Sequence, residues 1–74
     1  MPDLLKRIEN DFVYHAPFGD QTERYVELRN AAKDLAGLFV ANAPESRELS
    51  LALTSLEESV MWVNAAIARN EKPE

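Results

Sequence analysis

The chain has 74 residues, no cysteine and two glycines, with 13 Asp and Glu against 8 Lys and Arg for a formal net charge of −5. A chain of this size forms one small domain and buries only about 60% of its unfolded surface, and without cysteine it has no disulfide staple, thiolate nucleophile or cysteine-ligated zinc. The acidic balance argues against a long nucleic acid as partner but leaves room for a small anion held by a few local Arg, because charges beyond about 10 Å are screened.

Residues 1–11 read as a short helix capped by Asp3, with Leu4, Leu5 and Ile8 on one face, too short to be stable alone. Residues 12–19, Phe12-Val13-Tyr14-His15-Ala16-Pro17-Phe18-Gly19, form an aromatic loop bounded by Pro17 and Gly19. Asp20-Gln21-Thr22-Glu23 has capping-box spacing and opens a helix over 20–42, in which Tyr25, Leu28, Ala32, Leu35 and Phe39 recur at steps of three and four. Asn42-Ala43-Pro44 ends it. A second long helix over 45–70 is expected, with Ser46 as its cap, Glu48 at its positive end, and Leu49, Leu53, Leu56, Val60, Val63 and Ile67 in the same rhythm. The fold class is therefore all-α: a single domain over 1–74, in which a short helix and a loop precede a long antiparallel two-helix hairpin.

The hairpin has a second apolar side. Ala52, Ser59 and Ala66 form a small-residue line, and Leu51, Met61, Trp62 and Ala65 lie outside the seam, so assembly into a multi-chain helical bundle is expected. No apolar run approaches the ~20 residues of a membrane span, and Met1 to Arg7 lacks the apolar stretch of a secretory signal, so the expectation is an intracellular protein without a membrane partner.

Catalytic chemistry has little to build on. His15 is the one histidine, and no Ser lies in a strand-turn-helix nucleophile setting, so no catalytic residue, cofactor or metal is expected. Glu23 with Glu27, and Glu45 with Glu48, have the spacing of a magnesium pair, but such pairs ordinarily form a solvated helix face. Phe12 and Phe18 are expected to pin the loop to the hairpin, whereas Tyr14 and His15 can stack on a nucleobase. Arg24, Arg29 and Lys33 supply the positive charge of the first long helix. Two readings of Arg29 and Lys33 stay open, phosphate contact or surface pairing with Glu23 or Asp34. Arg47 at the turn and Arg69 near the C-terminus are further cationic candidates, and Asn64, one position past Val63, is a half-buried amide suited to specifying chain pairing.

Four stretches taken together carry a resemblance: Phe12 to Pro17; Gln21-x-x-Arg24-Tyr25-x-x-Leu28-Arg29; Pro44-x-Ser46-Arg47-Glu48-x-Ser50-Leu51-Ala52-x-Thr54-x-Leu56-Glu57; and Met61-Trp62-x-Asn64-Ala65-Ala66-Ile67-Ala68-Arg69-Asn70. They resemble the phage anti-CBASS sponge family of helical hairpins over residues 12–70. The resemblance implies a homohexamer that binds cyclic dinucleotides such as cyclic GMP-AMP, and in some members cyclic trinucleotides, without cleaving them, in the cytoplasm of an infected bacterium. It implies Tyr14 as the base-stacking ring and Arg29 as the phosphate ligand, with His15 and Arg24 as neighbours; Pro17 and Lys33 join these ligand-site candidates on their own chemistry, and Arg47 or Arg69 are candidates for a trinucleotide pocket. Where the family loop commonly reads Tyr-His-Pro-Pro, this chain has Tyr14-His15-Ala16-Pro17, which loosens the loop slightly. The competing reading is a structural hairpin that engages a protein through its apolar outer face.

Overall fold

The computed structural model describes residues 3–73 and contains three helices: α1 (Leu4–Asp11), α2 (Gln21–Asn42) and α3 (Arg47–Asn70). The all-α hairpin expected from the sequence is what forms. Asp3 caps α1, its carboxylate accepting from the amides of Leu5 at 3.0 Å and Lys6 at 3.4 Å. Ser46 is fully extended, with φ −169°, and its hydroxyl accepts from the Leu49 amide at 3.1 Å, so α3 starts at Arg47 rather than at residue 45.

At α2 the expected capping box does not form. Asp20 makes no side-chain cap bond; its carboxylate instead accepts from Arg24 Nε at 3.1 Å. The neighbouring Gln21 takes over, its Oε1 accepting from the Phe18 amide at 3.1 Å. Gly19, at φ +56°, makes the turn into the helix in the left-handed region that other residues enter only at a cost.

α2 and α3 pack antiparallel along the predicted seam, with Leu28, Ala32 and Phe39 half-buried against Leu49, Leu53, Leu56, Val60 and Ile67. Leu35 and Val63, both expected in the seam, are 41% and 43% exposed, and Ala36 and Asn64 hold the more buried positions beside them. The reason is helical drift: 3.6 residues per turn does not match a strict three-four repeat, so the contact line moves by one position along a long straight pair.

The seam is shallow. Among the described residues no apolar side chain is fully buried, and Leu5, Phe12, Tyr14, Met61 and Trp62 are all more than 60% exposed. Phe12, at 85% exposure, does not pin the loop, while Phe18 is half-buried and does. The radius of gyration is 15.9 Å where a compact chain of this length has about 11 Å. The accessible surface is 6387 Å², about 1,800 Å² more than a folded monomer of this mass exposes. No helix among the described residues is long and apolar enough to cross a membrane.

Candidate functional site

The open end of the hairpin, opposite the turn, is tied together by polar side chains that reach across the chain. Gln21 is 2% exposed; its Nε2 donates to Glu71 Oε1 at 3.1 Å, just past the end of α3. Arg24 grips the same carboxylate with both terminal guanidinium nitrogens, Nη1 at 2.8 Å from Oε2 and Nη2 against Oε1. The Arg24 bond is the main cause that lowers the Glu71 carboxyl to about 2, with the Gln21 bond second and desolvation opposing both. Arg24 is correspondingly raised, chiefly by the hydrogen bond to Glu71.

α1 and the aromatic loop are anchored at the same end. Asn10 Nδ2 donates to the Arg69 carbonyl at 3.0 Å, and Arg69 Nε lies 3.7 Å from Asp11 Oδ1. His15 Nε2 is 2.8 Å from the Asn10 carbonyl. A carbonyl only accepts, so Nε2 donates this bond. The loop thus leaves α1, turns back on His15, and presents Tyr14, 83% exposed, to one side.

These constraints create a recess of about 510 Å³, bordered by Tyr14, His15, Tyr25, Arg29, Asn64 and Arg69. Tyr25 and Arg29 reach it from successive turns of α2, Asn64 and Arg69 from α3. Among the described residues Arg29 is in no ion pair within 4.0 Å, so of its two open readings the surface pairing with Glu23 is absent. Lys33, likewise without an ion pair among the described residues, lies one turn further along and borders a neighbouring groove that Arg29 also lines. With Asp11 at its edge the recess holds two guanidinium groups against one carboxylate, a local positive excess in a chain of net charge −5.

The other candidate residues lie elsewhere. Arg24 is engaged by Glu71 and Asp20 and does not border the recess. Pro17 is exposed in the loop outside it, and Arg47 stands at the first position of α3, about 25 Å along that helix from Asn64. A larger recess of about 620 Å³ occurs at the turn, but Leu35, Leu38, Phe39, Pro44 and Leu49 dominate it and no cation lines it. Among the described residues no group of three His, Asp or Glu side chains is placed to hold a metal ion.

Sequence reasoning placed Tyr25 in the seam and Asn64 at a chain-pairing position, yet both border the recess. For Tyr25 a signal was available: it precedes Arg29 by four, so the two side chains share a helix face.

A family model described as the Acb2/Tad1 hairpin domain matches residues 5–68, 64 of the 74 residues. No curated protein and no solved structure gives a match.

Proposed function

This chain belongs to the Acb2/Tad1 hairpin-domain family, the anti-CBASS sponge family that its sequence resembles, and on that premise we propose that it binds cyclic oligonucleotide messengers and holds them without cleavage. The observation that carries the reading is the recess itself. It gathers an exposed tyrosine ring, an imidazole anchored through Nε2 and an arginine without an ion pair among the described residues, a set suited to a base linked to a phosphate.

Stacking on Tyr14 contributes about 1 to 3 kcal/mol per base, and a charge-assisted bond from Arg29 to phosphate about 1.5 to 3 kcal/mol. A cyclic dinucleotide such as cyclic GMP-AMP repeats its base and phosphate twice, so symmetry-related copies of the recess offer each half the same contacts. Self-association supplies those copies. The surplus surface of about 1,800 Å² matches roughly two standard interfaces per chain, as a closed ring demands, and a homohexamer is the assembly we propose. Arg69 extends the cationic edge for a trinucleotide; Arg47, at the far end of α3, belongs to no such site on the same chain. In the cytoplasm of an infected bacterium, sequestration of this kind keeps CBASS effectors unliganded.

The test is recovery. Protein is mixed with cyclic GMP-AMP, heat-denatured and filtered, and intact ligand is expected back in full; linear or mononucleotide products overturn the reading in favour of hydrolysis. A thermal-shift series with cyclic di- and trinucleotides decides against the protein-binding alternative if the melting temperature rises with saturation, and for it if no ligand shifts the melt.

A further inference from the structure

The C-terminal turns of α1 and α3 are joined through Asn10. The last carbonyls of a helix have no partner inside it. Here one from each helix is engaged around the same residue: Asn10 Nδ2 donates to the Arg69 carbonyl at 3.0 Å, across 59 residues of sequence, and the Asn10 carbonyl accepts from His15 Nε2 at 2.8 Å. Two other asparagines near helix ends behave differently. Asn42 and Asn70 each donate to the carbonyl four residues back in their own helix, Leu38 at 2.7 Å and Ala66 at 2.9 Å, bonds that join no separate elements. Water satisfies an exposed helix end as well as a side chain does, so the effect particular to the Asn10 bond is to fix one element on another.

Little else fixes α1. Among the described residues α2 and α3 are the one pair of helices in broad contact, while Leu4, Leu5 and Ile8 on the apolar face of α1 are each more than half exposed. The second tie, Asp11 Oδ1 to Arg69 Nε, is long at 3.7 Å, and the other Asp11 oxygen lies 3.4 Å from Arg7. A single partly exposed ion pair of this kind contributes little. Downstream, the Tyr14 ring is 83% exposed and has no packing of its own to set its direction. It takes its place from the main chain, which is held before the ring by Asn10 and directly after it by His15. Asn10 does not border the recess, so it acts on a ligand there only through this loop.

We infer that Asn10 is a positioning residue of the ligand site: its side chain fixes the end of α1 to α3 and its carbonyl holds His15, so that the Tyr14 ring stands at the recess before a ligand arrives. The inference rests on the cyclic-oligonucleotide reading above. A loop that is competent only part of the time lowers the apparent affinity by that fraction.

The experiment is calorimetry with cyclic GMP-AMP on the wild type, Asn10→Ala, Tyr14→Ala and the double variant. Alanine is the better helix former, so the substitution does not itself weaken α1. Asn10→Ala is expected to bind about fivefold more weakly, with stoichiometry and solution mass unchanged. Asn10→Asp, the same shape without the donor, is expected to lose at least as much; wild-type affinity in either variant overturns the inference. In the Tyr14→Ala background the further Asn10→Ala change is expected to cost less than about twofold, because no ring is left to position. A fivefold loss in both backgrounds means that Asn10 acts through the fold at large and overturns the inference. Without ligand, NMR order parameters over residues 4–16 are expected to fall in Asn10→Ala and to hold in the α2–α3 seam; unchanged values over residues 4–16 overturn the inference whatever the ligand does. If the wild type binds no cyclic GMP-AMP, the cyclic-oligonucleotide reading fails first and this one with it; binding without a Tyr14-dependent loss defeats this one alone.

Discussion

The two ends of the hairpin are built from different chemistry. At the turn, α2 ends at Asn42 and α3 begins at Arg47, and the groove between them is lined by Leu35, Leu38, Phe39 and Leu49 with one local cap at Ser46. At the open end the groups that meet are polar and far apart in sequence, Gln21 and Arg24 with Glu71, and Asn10 and Asp11 with Arg69. Apolar contact is non-directional and holds two helices together without fixing a loop. The hydrogen bonds that the Phe18 amide donates to Gln21 and His15 Nε2 donates to the Asn10 carbonyl have defined directions, and they hold the aromatic loop at the recess that Tyr14 and Arg29 both line. The open end is thus the preorganised one, which favours slow release of whatever binds there.

The sharpest way to break this comparison is at the recess. Tyr14→Ala and Arg29→Ala are each expected to weaken cyclic dinucleotide binding about 10- to 100-fold by calorimetry while solution mass stays unchanged; equal affinity in both variants removes them from the site. Next in size is Gln21→Ala, which strips a buried polar group from Phe18 and Glu71. It is expected to lower stability by about 1 to 3 kcal/mol in urea melts and to weaken binding as the loop loosens.

A smaller effect follows from acid. Glu71 has its carboxyl lowered to about 2 in the folded chain, so its clamp stabilises fully above the ordinary carboxylate value of 4.5 and is lost as pH falls from about 4.5 toward 2. Thermal melts are expected to decline through that window in the wild type and to be flatter in Glu71→Gln. The smallest effect belongs to the turn: Ser46→Ala removes a cap worth about 1 kcal/mol and is expected to lower the melting temperature without altering ligand affinity. A change in affinity there erases the distinction between the ends.

Much of this arrangement was legible in local spacing. The seam from Leu28 to Phe39 and from Leu49 to Ile67, the cap at Ser46 and the grouping of Tyr14 and His15 in one loop all follow from residues within a turn or two of each other. Asp20 was misjudged as a capping residue because the spacing to Glu23 is correct while the competitor, Arg24, takes its carboxylate four residues on. Phe12 departs from the expectation because an aromatic ring in a loop has no sequence mark that says which surface it meets; here it is 85% exposed. The engagement of Arg24 by Glu71 has no mark in the sequence, because the two lie 47 residues apart.

The sequence by itself determined that the chain is an all-α hairpin and that 74 residues without cysteine leave its apolar surface under-buried, since periodicity, capping and surface scaling are local or global sums. Only the tertiary structure decided which cation is engaged and which faces the recess, that His15 directs one nitrogen to Asn10, and that the Asn10 side chain reaches the Arg69 carbonyl. Those outcomes depend on distances between residues from different helices, and a one-dimensional pattern carries no such distances until the hairpin closes.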